Sequence, residues 1–142
     1  MTSTSIRVVA AVIQQDGKYL ITQRRENATL PLFWEFPGGR VEPGETDAEA
    51  LQREFKERLG AQVLVGKPVA FRRHDYDGYA VELVLYEAEV EDKELESLKV
   101  KDFKWVEADE FSQYPFPPAD AASMDDFQLF TSSRKPRKPP SA

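Results

Sequence analysis

Cysteine is absent from this 142-residue chain, and histidine occurs once, at position 74. The first absence excludes a disulfide framework, a thiolate nucleophile and any metal–thiolate site, and the second excludes a histidine cage. Metal chemistry in this chain therefore rests on oxygen ligands, which suit hard cations such as Mg2+, Mn2+ or Ca2+. Also missing is any apolar run near the ~20 residues that a membrane-spanning helix needs. The first seven residues lead into a strand-like segment and carry no signal-peptide core. The expectation is a cytoplasmic protein with no membrane partner.

Positive charge is scarce over most of the chain. The net charge is −6, yet the last twelve residues, "TSSRKPRKPPSA", hold four bases (Arg134, Lys135, Arg137, Lys138) and no acid, so residues 1–130 carry −10. A body of that sign is poorly suited to gripping a nucleic-acid backbone, so nucleic acid is not the expected partner. A small anionic molecule remains compatible, provided a cation or local arginines meet its charge. The tail lacks an apolar anchor and reads as disordered over 131–142. Residues 1–130 are enough for one domain with a real core, acting as a monomer or homodimer.

Two apolar, β-branched runs, "IRVVAAVI" (6–13) and "KYLITQRR" (18–25), flank the turn signal "QQDG" and are predicted to form a hairpin. A loop follows to about Phe36. From Thr46 the period changes: Thr46 and Glu49 spell a capping box, Ala48, Leu51, Phe55 and Leu59 recur at helical spacing, and Gly60 stands where a left-handed cap belongs. Residues 62–73 and 79–90 read as strands joined through "HDYDG", and 100–106 as a further strand. "ADEFSQY" gives a short helical turn, and Asp120 can cap a last helix over 121–130. This order of elements indicates α+β, or a sheet sandwiched between helices, without repeated βαβ units.

On a helical wheel Glu54 and Glu57 fall beside the apolar stripe, three residues apart, where two carboxylates become neighbours. Alone, they read as part of a salt-bridged surface through Glu49–Arg53, Arg53–Glu57 and Glu54–Arg58 pairs. The preceding "GGRVEPGET" changes that reading, because a glycine-rich loop running into a helix N-terminus suits a phosphate. From Gly39 the chain has five residues, Glu45, seven residues, Arg53-Glu54-Phe55, one residue, Glu57, and then Gly60. This pattern resembles the signature of the Nudix hydrolase family, and "WEFPGG", "ITQRR" and "FPPAD" around it are similar to its MutT-like branch.

The resemblance implies an α/β/α sandwich with a mixed β-sheet over residues 1–130. It also implies hydrolysis of a nucleoside triphosphate, or a related diphosphate derivative, to monophosphate and pyrophosphate, a reaction that would serve nucleotide-pool sanitation. Water would attack phosphorus with the help of Mg2+ or Mn2+. Carried over residue by residue, Glu54 and Glu57 become metal ligands, Gly38 supplies a carbonyl ligand, and Glu45 and Arg53 form a bracing ion pair, with Gly39 and Gly60 as structural positions of the box. Arg53, Glu54, Glu57 and Arg58 form the catalytic group. Arg24 would meet phosphates, and Phe36 would lie close to the nucleotide pocket; Tyr76, outside the motif, is a substrate-binding candidate as a ring that either stacks on the base or packs. Asp120 admits two readings: a helix cap, or an acceptor for the amino group of cytosine or adenine. Trp34 and Phe116 are read either as packing or as base-stacking rings.

Two positions depart from the family pattern. Arg58 stands where a second adjacent glutamate, a principal metal ligand, is usual, and an arginine offers no lone pair to a cation. Lys99 falls where a further glutamate is common, with Glu96 and Asp102 nearby as substitutes. Arg58 thus leaves two alternatives: an enzyme with fewer ions in which arginine supplies fixed charge, or an impaired nucleotide-binding or regulatory module. His74 is expected to be a surface residue of the hairpin.

Overall fold

A computed structural model of the chain describes residues 4–28, 30–91 and 94–117. Asp120, the helix expected over 121–130 and the tail 131–142 lie outside the described residues. Strands β1 (Thr4–Val12), β2 (Gln14–Gln15), β3 (Lys18–Gln23), β4 (Trp34–Glu35) and β5 (Gly38–Arg40) precede helix α1 (Asp47–Leu59). The long strands β6 (Val63–Tyr76) and β7 (Tyr79–Val90), then β8 (Asp102–Val106) and a 3-10 turn Ala108–Gln113, follow it. One sheet has the order β5-β1-β7-β6 and is mixed, since β1 and β7 run parallel while their outer neighbours are antiparallel. The second sheet joins β2, β3 and β4, with β8 on the other side of β3.

The run at 6–13 is continuously apolar because β1 is central and both of its faces are covered. Val9 and Ala11 join α1's Leu51, Phe55 and Leu59 in one core, whereas Ala10 and Val12 join Ile21, Val106 and Phe111 in the other. Neighbouring β7 divides in the same way, Val84 and Ala88 to the first core, Leu83 and Leu85 to the second. The expected helix forms as its caps dictate. Thr46 Oγ1 accepts from Glu49 N (3.1 Å), Glu49 Oε1 accepts from Thr46 N (3.0 Å), and Gly60 closes the helix at φ 69°.

Three local expectations are corrected. The hairpin around Asp16–Gly17 turns as predicted, with φ of 52° and 79°. The ladder with β3 is short, however, covering Gln14 and Gln15 with one further bond from Leu20 N to the Ile13 carbonyl, because burial on both faces commits β1 to β5 and β7. The β6–β7 hairpin runs on through residues expected to be loop, so that Tyr76 faces Tyr79 across a two-residue Asp77–Gly78 turn. The start of the supposed glycine-rich loop is itself a strand: Gly38 lies opposite Ala10 and Gly39 opposite Val9.

Candidate active site

The site grows from α1. Its apolar residues turn into the first core, which leaves Glu54 at the margin, where the helix meets β5. Glu54 is 7% exposed, and a carboxylate so placed needs charged partners to offset its desolvation. It has two. Arg58 Nε donates to Oε1 at 2.6 Å, and Arg53 Nη1 donates to Oε2 at 3.1 Å. The glycines of β5 make the approach possible. A methyl group on Gly39 would stand 2.3 Å from the Glu54 carboxyl carbon, and one on Gly38 would stand 1.9 Å from the Val9 carbonyl oxygen. Both glycines are thus required by close approach, with no left-handed backbone at either.

Arg53 ties the box together. Its Nε and Nη2 take the two oxygens of Glu45 at 2.7 and 3.0 Å, and Nη2 also donates to the Arg40 carbonyl at 3.0 Å. Glu57, more exposed, lies 3.6 Å from the same guanidinium. The fork, joined by a backbone bond from Glu42 N, holds the Glu45 carboxyl at about 2. Glu49 is used in the cap, so the Glu49–Arg53 pair expected from spacing gives way to Glu45–Arg53, while Arg53–Glu57 and Glu54–Arg58 form as expected.

Beside this network opens a cavity of about 540 Å³. Arg24, Phe36, Gly38, Gly39, Arg58 and Tyr76 all line it, so positions separated by more than fifty residues in sequence meet on one surface. Three further lining residues were missed by sequence reasoning: Glu35, Arg40 and Tyr79. Glu35 accepts from Arg24 Nη1 at 2.9 Å. Burial pushes its carboxyl up, an effect opposed by Arg24 and then by Arg58. Its alternation between the apolar Trp34 and Phe36 was the available signal. The Tyr79 ring stacks on Tyr76 at 5.2 Å and 16°, and His74, half-buried, meets Tyr76 edge-on at 4.6 Å.

Other candidates lie elsewhere. Trp34 is buried against Tyr114 with Lys104 over both rings, and Phe116 packs on Phe36 and Phe111, so these are packing aromatics. Lys99 N donates to the Arg58 carbonyl, Glu96 N donates to Leu59, and Asp102 lies opposite Gln23 and accepts from Phe103 N. None of these three residues lines the cavity. Among the described residues no three carboxylate or histidine side chains converge as a ready-made ion cage, and no helix is long and apolar enough to cross a membrane.

A mixed sheet carrying helix α1, whose Arg58 bonds Glu54 and lines the cavity together with Arg24 and Arg40, has the features of a hydrolase-type site for an anionic substrate, although neither Glu54 nor Glu57 lines the cavity itself. Residues 8–126 match the family model described as the NUDIX domain. The chain is 35% identical over 129 residues to the CTP pyrophosphohydrolase of Escherichia coli, covering 91% of this chain and 96% of that protein. It is 30% identical over 122 residues to the 8-oxo-dGTP diphosphatase of Haemophilus influenzae, covering 85% and 90%. The solution structure of the E. coli ORF135 protein superimposes with a TM-score of 0.78 at 34% identity, covering 96% of both chains. The chain belongs to the NUDIX domain family.

Proposed function

We infer that this protein is a nucleotide pyrophosphohydrolase that cleaves a nucleoside triphosphate to the monophosphate and pyrophosphate. The observation that carries this reading is the Glu45–Arg53–Glu54 network fixed beside an arginine-lined cavity. The two relatives named for triphosphate hydrolysis cover nearly the whole chain and support it.

The donors present suit a hard divalent cation, Mg2+ or Mn2+. Glu54 and Glu57 would hold it with the Gly38 carbonyl, and the hollow that a Gly39 side chain would fill is where the Glu54 carboxylate rests. Such an ion, when bound, screens the phosphate oxygens and lowers the pKa of a water. The chain's own residues do the rest. Arg53 bonds Glu54 and Glu45 at once, so the Glu54 carboxylate is oriented before substrate arrives. Arg24, steadied by Glu35, meets phosphate charge, and Phe36 with Tyr76 borders the base. Asp120, as an acceptor, favours a base edge that donates, that of cytosine or adenine. The setting we propose is the cytoplasm, with 131–142 a tail outside the domain.

The test is a panel of nucleoside triphosphates incubated with Mg2+ and with Mn2+, followed by detection of pyrophosphate. Turnover of at least one nucleotide is expected, fastest for a cytidine or adenosine compound. One observation favours the alternative of a binding module: guanidinium groups hold both Glu54 oxygens. Thermal stabilisation by nucleotides with no turnover, together with activity appearing in Arg58→Glu, would establish that alternative instead.

A further inference from the structure

The cavity has a charge opposite to that of the molecule. Its lining holds three arginines, Arg24, Arg40 and Arg58, and one carboxylate, Glu35, on a chain whose net charge is −6. The three come from different elements: the segment after β3, the end of β5, and the last turn of α1. Arg58 reaches Glu54 through Nε alone. The remaining four N–H groups of its planar fork make no bond among the described residues, and its side chain is 33% exposed. A guanidinium anchored on one edge and open on the other presents the geometry that accepts phosphate oxygens in pairs.

We propose that Arg58 is a substrate-binding residue: with Arg24 and Arg40 it takes the polyphosphate directly, so the substrate binds this cavity without a divalent ion bridging it to the protein. The proposal rests on the nucleotide reading above and adds a division of labour to it. A polyphosphate entering beside Glu35, with Glu54 behind Arg58 and Gly39, meets like charge, and the fixed arginines offset that repulsion whether or not a cation is present. A guanidinium does not acidify a bound water as a divalent ion does. Binding is therefore independent of the ion, while turnover depends on it.

Calorimetry separates the two. Inorganic tripolyphosphate and α,β-methylene CTP are titrated into the full chain in EDTA and in Mg2+, with Arg58→Gln and Arg58→Lys compared in both and circular dichroism confirming their folding. The native chain is expected to bind both probes in EDTA within about threefold of its affinity in Mg2+. Arg58→Gln should weaken binding in EDTA at least about tenfold, the loss of one charge-assisted contact, with Arg58→Lys in between. Binding that vanishes in EDTA, or that is equal in native and Arg58→Gln, overturns the proposal. Nucleotide turnover with Mg2+ alongside such a result leaves the pyrophosphohydrolase reading intact. Metal-free, Arg58-dependent binding with no turnover of any nucleotide instead defeats that reading and leaves this one standing.

Discussion

Adjacent glycines in β5 should respond to the same substitution in opposite ways. An alanine methyl at Gly38 would lie 1.9 Å from the Val9 carbonyl oxygen and 2.6 Å from the Ala10 Cα, and both neighbours are backbone of the central strand. Relief requires β1 and β5 to separate, so Gly38→Ala should cost about 3 kcal/mol or more, at the upper end of overpacking penalties. At Gly39 the methyl would lie 2.3 Å from the carboxyl carbon of Glu54, the end of a side chain. To regain an ordinary contact of 3.4 Å the carboxylate must withdraw by about 1 Å. That shift breaks or stretches the bonds to Arg53 and Arg58 but leaves the strands paired. Misplacement on this scale costs about a hundredfold in rate. Urea denaturation and pyrophosphate release, measured on both variants, check the reasoning. A Gly39→Ala protein within threefold of native activity would refute the placement of the Glu54 carboxylate as the group that sets the rate. A Gly38→Ala protein within 1 kcal/mol of native stability would refute the account of the β1–β5 approach.

Phe55, fully buried between α1 and the mixed sheet, should cost about 3–5 kcal/mol when cut to alanine, measured by urea denaturation. Arg53→Lys cannot reproduce a fork that serves Glu45, Glu54 and the Arg40 carbonyl together, so pyrophosphate release should fall at least about tenfold with only a small change in thermal midpoint. Asp47 accepts from Arg7 Nε and Nη2, at 2.8 and 2.7 Å, and from the Tyr86 hydroxyl; its carboxyl is lowered by Arg7 first and Tyr86 after it. A carboxyl lowered in the folded state stabilises above its unfolded value, 3.8, and that contribution is lost as pH falls through the folded value. Asp47→Asn should therefore lower stability near pH 7 by about 1–2 kcal/mol, discounted because Arg7 is 41% exposed, and flatten the decline below about pH 4 in an acid unfolding series.

What could be read from the sequence was local or periodic. Thr46, Glu49 and Gly60 mark both ends of α1 because capping depends on residues within one turn, and the spacing of Ala48, Leu51, Phe55 and Leu59 fixes its inner face. The partner of β1 was not legible, since a strand buried on both faces carries no alternation to say which neighbours it has. Gly38 and Gly39 illustrate the same limit at the site: the sequence marks them as the start of a phosphate-suited loop, with Gly38 a carbonyl ligand and Gly39 a box position, but the close approaches of Val9 and Glu54 that require glycine arise only through the fold. For Glu35 the alternation with Trp34 and Phe36 marks a strand position and no more, because its meaning depends on an arginine eleven residues away across a strand pair. Arg58 stands between these cases. Its spacing from Glu54 predicts the ion pair that forms, at 2.6 Å, and a surface pair of that kind would ordinarily contribute a few tenths of a kcal/mol. Here the acid is buried and the base lines the cavity, so the same i,i+4 geometry sets part of the charge of the cavity wall. A helix pair that satisfies one carboxylate through a single nitrogen leaves the other N–H groups of the guanidinium at the cavity, and the walls that β5 and the β6–β7 hairpin contribute are what make the proposed anion-binding role of Arg58 testable there.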